Sequence, residues 1–204
     1  MSREETLEPI ILASGSPRRQ EILKSLGVPF QVIIPEIDES ELAGVELEKI
    51  SEYLASKKVE YVSKILPAKQ EVPWILGADT TMIMDGKVYG KPADLDEAVS
   101  FLKDFSGRTH TVFTSMALYN GRLKYLSTKT ARTDVTFAAL SQDEIDWYIS
   151  TGEWHNVAGG YRIQGFGSYF IRKIEGTSST VIGLPLFELY DMLKEQGYSL
   201  IGLE

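Results

Sequence analysis

Four apolar residues, Ile10-Ile11-Leu12-Ala13, run directly into Ser14-Gly15-Ser16-Pro17-Arg18-Arg19. The run reads as a buried strand, and a helix must begin within three residues of its end. Ser16 is a favoured N-cap, and Pro17 suits the first helical position, where its missing N–H costs nothing. The free N–H groups of that first turn then point beyond the carboxyl end of the strand. A helix N-terminus attracts anions, and Arg18 and Arg19 add two permanent charges beside it. The stretch therefore reads as a phosphate or carboxylate receptor. An ordinary strand-to-helix turn with solvated arginines stays open on these residues alone.

The rest of the chain decides whether that charge is meaningful. Its net charge is −8 over 204 residues, which argues against a surface that coats nucleic acid. An acidic protein that binds a polyanion has to gather its cations in one pocket, so clustered lysines and arginines are informative. There is no cysteine, which excludes disulfides, thiolate chemistry and cysteine-held zinc. No apolar run reaches spanning length and the first residues lack the apolar core of a signal peptide, so no membrane partner and a cytoplasmic location are expected.

Along the chain, a first helix is predicted from Pro17 to about Leu26, with Ile22, Leu23 and Leu26 as its apolar stripe. Phe30 to Ile34 reads as a strand ended by Pro35, and an acidic stretch follows from Glu36 to Glu48. Most of these acids suit a solvated turn and the acidic start of a helix; one or two could face inward as metal ligands. The next helix, about Val45 to Ile65, carries a stripe at Leu47, Ile50, Leu54, Tyr61 and Ile65, and Lys58 falls on it. A lysine there either snorkels out or reaches a buried anion.

Val72 to Leu76 then reads as a buried strand leading through Gly77-Ala78 to Asp79-Thr80. This places a carboxylate at the carboxyl end of a central strand, where open α/β sheets put their ligands. Asp85-Gly86 is a hairpin signal that returns Gly90-Lys91-Pro92 toward Asp79. Asp79 and Lys91 would suit a metal or water on one side and phosphate oxygens on the other; a surface ion pair is the plainer alternative. Asp94 with Glu97, and Ser141 with Glu144, mark two capped helix starts. Strands are predicted at Thr109 to Tyr119, Leu123 to about Ala138 and Tyr169 to Ile174, and a last helix after Pro185. His110 and His155 lack partners at metal-ligand spacing and read as structural or surface residues. Gln164 sits in a glycine-flanked turn, where its amide offers donor and acceptor to a nucleobase edge.

Ala13 to Arg19, Ile37-Asp38-Glu39, Leu54-Ala55 with Lys58, Gly77-Ala78-Asp79-Thr80, Gly90-Lys91-Pro92, Ser106 to His110 and Ile163-Gln164-Gly165 occur in the order seen in the Maf family. The resemblance runs from about Ile10 to about Leu193. It implies a single Maf-like domain over 1–204, with a mixed α/β sheet flanked by helices, as in inosine triphosphate pyrophosphatases, and two lobes around a central cleft. It implies a nucleoside triphosphate pyrophosphatase that cleaves between the α- and β-phosphates with a divalent metal, Mg²⁺ or Mn²⁺, and is usually a homodimer. By the same resemblance Asp79 and Lys91 are catalytic. Ser14, Arg18, Arg19, Lys58, Thr80 and Gln164 bind substrate, and Glu39 and Asp79 hold metal. The Ile-Gln-Gly form resembles the dTTP/UTP-cleaving branch, whereas the branch acting on 7-methyl-GTP carries Glu-Gly there.

Three positions depart from the family pattern. Tyr53 replaces an Arg before the Leu-Ala pair, Trp154 replaces a Pro, and Asn156-Val157 replaces an Asp-Lys. They weaken the inference about the base more than that about the reaction. Another non-standard nucleotide, or a nucleotide-binding cell-division regulator without turnover, are the competing readings. An intact Asp79 and Lys91 count against the regulator, since a pure binder has no need of a carboxylate at the reacting phosphate.

Overall fold

A computed structural model describes residues 7–37, 42, 44–67, 74–198 and 200. The described strands form one seven-stranded sheet: β1 (Ile10–Ala13), β2 (Phe30–Val32), β3 (Trp74–Met84), β4 (Lys87–Tyr89), β5 (Thr109–Asn120), β6 (Tyr125–Phe137) and β7 (Ile171–Glu175). Its order is β2-β1-β3-β5-β6-β7, with β1 parallel to both β2 and β3 and the remaining pairs antiparallel. The helices are α1 (Pro17–Ser25), α2 (Ile50–Ile65), α3 (Leu95–Phe105), α4 (Gln142–Ser150), α5 (Ser178–Ile182) and α6 (Leu186–Glu195).

The sheet's two faces are sorted by residue parity. Ile10, Leu12, Leu76, Ala78, Met116 and Leu118 pack with Leu23 of α1 and with Leu189, Met192 and Leu193 of α6. Ile11, Ala13, Ile75 and Ala117 face the other way, against Ala55, Val59 and Val62 of α2. Helices on both faces explain why β1 is apolar throughout rather than alternating. A third cluster, built on α3, α4 and the far halves of β3, β5 and β6, fills the second lobe. The sheet thus runs through both lobes.

β3 is the strand that creates the cleft. Its Ile75–Gly77 segment pairs with β1 and its Met82–Met84 segment pairs with β4. Both neighbours lie on the same edge, because β5 occupies the other from Trp74 to Ile83. Between them, Ala78–Thr81 have a strand neighbour on one side only among the described residues. The hairpin that folds β4 back turns on Asp85 and Gly86, both in the left-handed region (φ 51° and 73°), as the type I′ turn of a two-residue hairpin requires.

Several elements differ from the sequence expectations. β2 stops at Val32, and residues 166–170 form a 3₁₀ turn before β7 rather than the start of a strand. The inward face of α1 is Arg19 and Leu23, while Leu26 is exposed. The buried face of α2 is Ile50, Ser51, Leu54, Ala55, Val59 and Val62, so Ile65 is exposed and Tyr61 only half-buried. The small residues face the sheet because the helix lies very close to it. A Cβ on Gly77 would come within 2.5 Å of the Ala55 carbonyl oxygen.

Candidate active site

Neighbouring residues of a strand point to opposite faces, so Asp79 and Thr80 are reached from different helices. Asp79 is on the α2 face, where the Lys58 ammonium donates to its Oδ1 at 2.5 Å and to the Ala78 carbonyl at 3.3 Å. Each side chain is about one-seventh exposed. Lys58 reaches the buried anion rather than snorkelling, and Asp79 takes Lys58, not Lys91, as its ion-pair partner. The Gly77 contact explains the proximity: without a side chain there, α2 comes near enough for a lysine to reach the strand.

Thr80 is on the α1 face, where Arg19 meets it. The Arg19 guanidinium is buried and donates from Nε to the Gly183 carbonyl (2.7 Å), from Nη1 to Ser14 Oγ (2.9 Å) and from Nη2 to Thr80 Oγ1 (3.1 Å). All three acceptors are neutral. Burial pulls its pKa down to about 10, with Asp79 acting in the opposite direction, so the side chain remains a cation at neutral pH. A buried cation held by neutral oxygens is offset in part by the Asp79 charge, which Lys58 shares, and an anion in the adjoining space would complete the balance. Ser14 thus orients Arg19, and its hydroxyl also accepts from the Ser16 amide at 3.3 Å. Ser16 is the N-cap of α1, although its side chain makes no capping bond.

These groups border a cleft of about 900 Å³ at the open edge of β3. Ser14, Arg18, Arg19, Lys58, Asp79, Thr80 and Lys91 all line it, as the sequence reading expects. Lys91 is exposed on the far wall, just after β4. Asp79 is the one carboxylate among the described residues of the lining. Asn156, one of the positions that depart from the family pattern, also lines it, in a left-handed conformation (φ 58°). Glu39 lies outside the described residues. Among those described, no three His, Cys, Asp or Glu side chains gather as a metal cluster.

Gln164 is exposed and does not border the main cleft. It lines a small adjoining cavity of about 20 Å³ together with Arg18, Thr80, Tyr161 and Arg162. The two spaces share Arg18, Thr80 and Ala158, so the Gln164 turn abuts the cleft through those residues. Burial and the nearby positive charge of Arg162 both lower the Arg18 pKa. The sequence reading missed Arg162; its signal is a second arginine two residues before Gln164. It also missed Gly183, whose carbonyl holds Arg19 from 164 residues away, a distance no local pattern spans.

The two histidines behave as the spacing implies. His110 is buried, stacks on Phe105 with ring centroids 4.1 Å apart, and shares a 2.8 Å hydrogen bond with the Tyr161 hydroxyl. His155 stacks on Trp154 at 3.7 Å. Arg108 is exposed and pairs with Asp85 at the hairpin turn, away from the cleft lining. No helix of the described residues is long and apolar enough to cross a membrane.

Over 195 residues, 96% of this chain and 100% of the relative, the sequence is 38% identical to a dTTP/UTP pyrophosphatase of Pelotomaculum thermopropionicum. It is 44% identical over 193 residues to a protein of the same description from Chromobacterium violaceum, covering 94% of this chain and 96% of that one. The fold matches the structure of the Staphylococcus aureus Ham1 protein with a TM-score of 0.50 at 14% identity, over 93% of this chain and all of that one. The family described as Maf-like protein matches residues 9–196, so the chain belongs to the Maf family.

Proposed function

We propose that the protein is a nucleoside triphosphate pyrophosphatase that converts dTTP and UTP to the monophosphate and pyrophosphate. The reading draws on the two relatives above, each described as a dTTP/UTP pyrophosphatase and matched over nearly its whole length. The observation that carries it is the Lys58–Asp79 pair at the open edge of β3, beside a buried Arg19 whose three hydrogen-bond acceptors are all neutral. A triphosphate near neutral pH is repelled by a protein of net charge −8 unless cations are concentrated where it binds. Arg18, Arg19, Lys58 and Lys91 are such a concentration.

In this reading Ser14 and Thr80 hold Arg19 in place, and Arg18, Arg19 and Lys91 take the phosphate oxygens. Lys58 orients Asp79 by occupying Oδ1. The other carboxylate oxygen accepts the proton of the water that attacks the α-phosphorus. The α–β bridging P–O bond breaks as the new P–O bond forms, and pyrophosphate leaves with the electron pair. Positioning and charge stabilisation dominate phosphoryl transfer, so the cradle contributes more than the base alone. Gln164, at the adjoining cavity, reads the base.

A divalent metal fits these residues. Mg²⁺ or Mn²⁺ takes oxygen ligands and needs only one or two carboxylates beside substrate phosphates and waters. Asp79 would hold it, with Glu39 as the second carboxylate. When bound, the ion neutralises phosphate charge. A homodimer in the cytoplasm completes the reading.

Pyrophosphate release from a panel containing dTTP, UTP, CTP, 7-methyl-GTP and inosine triphosphate, with and without Mg²⁺, tests it. Metal-dependent pyrophosphate from dTTP and UTP is the expected result. Orthophosphate as the only inorganic product overturns the reaction, preference for 7-methyl-GTP overturns the base, and binding without turnover favours the regulator.

A further inference from the structure

Gln164 sits at the tip of a turn whose two ends are both tied to residues at and just beyond the end of α4. On the incoming side the Arg162 amide donates to the Tyr148 hydroxyl at 3.1 Å. On the outgoing side the Glu153 carboxylate accepts from the Phe166 amide through Oε1 (3.1 Å) and from the Gly167 amide through Oε2 (3.4 Å). Phe166 and Gly167 open the 3₁₀ turn that runs to Phe170, so their N–H groups have no partner within it. Within the turn, the Gly165 amide donates back to the Arg162 carbonyl at 3.2 Å.

Glu153 also accounts for a glycine that backbone conformation does not. Gly165 has φ −119°, a value any residue adopts. Yet a Cβ built there would lie 2.2 Å from Glu153 Oε1 and 2.6 Å from Oε2. A side chain at the third residue of Ile163-Gln164-Gly165 would therefore push the Glu153 carboxylate off the Phe166 and Gly167 amides. Two of the three backbone contacts and this steric one come from Glu153, a half-buried acid outside the cleft lining, and the third comes from Tyr148.

We propose that Glu153 is the positioning residue of the Gln164 turn, fixing where that amide meets the nucleobase and thereby setting base selection. The proposal rests on the reading of the protein as a dTTP/UTP pyrophosphatase. Glu153 touches neither phosphate nor metal in this scheme, so its loss degrades discrimination before turnover.

The test uses the full chain with Glu153→Gln, Glu153→Ala, Gly165→Ala and the Glu153→Ala/Gly165→Ala double variant. Turnover number and KM are measured for UTP and for CTP, and amide hydrogen exchange is followed at Phe166 and Gly167. Glu153→Ala should lower the UTP-to-CTP ratio of kcat/KM by roughly tenfold or more, mostly through KM for UTP. Glu153→Gln, which keeps one acceptor oxygen, should fall between it and the wild type. Exchange at Phe166 and Gly167 should accelerate in Glu153→Ala. Gly165→Ala should reproduce the loss of discrimination in the wild-type background and add little to Glu153→Ala, because the atom it collides with is gone.

An unchanged ratio with unchanged exchange in a folded Glu153→Gln or Glu153→Ala protein overturns the proposal. So does a Gly165→Ala penalty that is the same in both backgrounds. If the wild type releases no pyrophosphate from UTP or dTTP, the functional reading fails by itself, and exchange with the Gly165 epistasis in thermal unfolding still decides whether Glu153 holds the turn.

Discussion

His110 should make the fold acid-sensitive in a defined window. Burial holds its imidazole down to about 4, against an ordinary value of 6.5, with Asp134 pulling weakly the other way. Its Nδ1 has no hydrogen-bond partner among the described residues, so a second proton would place a bare N–H inside the core. With the folded pKa below the unfolded one, the unfolded chain binds more protons between the two values. Stability is then complete above pH 6.5, falls as the pH drops toward 4, and levels off below. At 1.36 kcal/mol per unit, the shift corresponds to a loss of roughly 1–2 kcal/mol at pH 5.5 and roughly 2–3 kcal/mol at pH 4.5. Urea unfolding of the wild type and of His110→Phe at pH 8, 5.5 and 4.5 measures it. The variant leaves the Tyr161 hydroxyl unpaired and starts lower at every pH, but its own decline should lack this component. The difference between the two curves also cancels the carboxylates, such as Asp134, that titrate nearby. Parallel declines would refute the reasoning and mean that His110 titrates in the fold as it does in the unfolded chain.

Four further outcomes follow from the site. Asp79→Asn and Lys58→Met, each removing one half of the 2.5 Å pair, should cut turnover on the order of a hundredfold or more while circular dichroism shows a folded chain. Lys91→Ala, on the far wall, should lower turnover comparably, and near-normal rates would remove it from the transition state. Gly77→Ala, whose Cβ would press within 2.5 Å of the Ala55 carbonyl, should cost about 1–3 kcal/mol in chemical denaturation and reduce activity too, since α2 carries Lys58. Arg108→Ala should be silent in both assays, because its pair with Asp85 is exposed and outside the cleft lining.

Much of the site was legible where it depends on local chain geometry. Ser14, Arg18 and Arg19 follow from a strand ending in a helix start, and Asp79 with Thr80 from the end of an apolar run. Lys91 follows from Asp85-Gly86, whose turn type fixes the return path. What was not legible is which face each group takes and what it meets. Arg19 reads as an anion-binding charge with a solvated face as the alternative, and the sequence does not show that it occupies the inner face of α1, where acceptors arrive from Ser14, Thr80 and the distant Gly183. The α2 stripe holds at Ile50 and Leu54, which are buried, but not at Tyr61 and Ile65: where the helix presses on a glycine, the other buried positions are Ser51, Ala55, Val59 and Val62, and Ile65 lies outside. Gln164 sits in a turn, as its glycine-flanked setting implies, but the backbone on either side of it is held by contacts whose other halves lie 13 to 14 residues back, at Glu153 and Tyr148.

The interrupted edge of β3 has a consequence for how the chain behaves in company. A sheet edge with unpaired backbone groups is a template on which another polypeptide can add a strand, and proteins ordinarily blunt such edges with charge or proline. Here the open segment is only Ala78–Thr81, bounded by β1 at Gly77 and by β4 at Met82. Strands average five or six residues, so an incoming one would collide with both neighbours before it could make a useful ladder. This gap can therefore keep main-chain groups accessible to a small molecule at high concentration without itself offering a seam for aggregation. Lengthening the gap, by disrupting the β3–β4 hairpin for instance, would trade that immunity away.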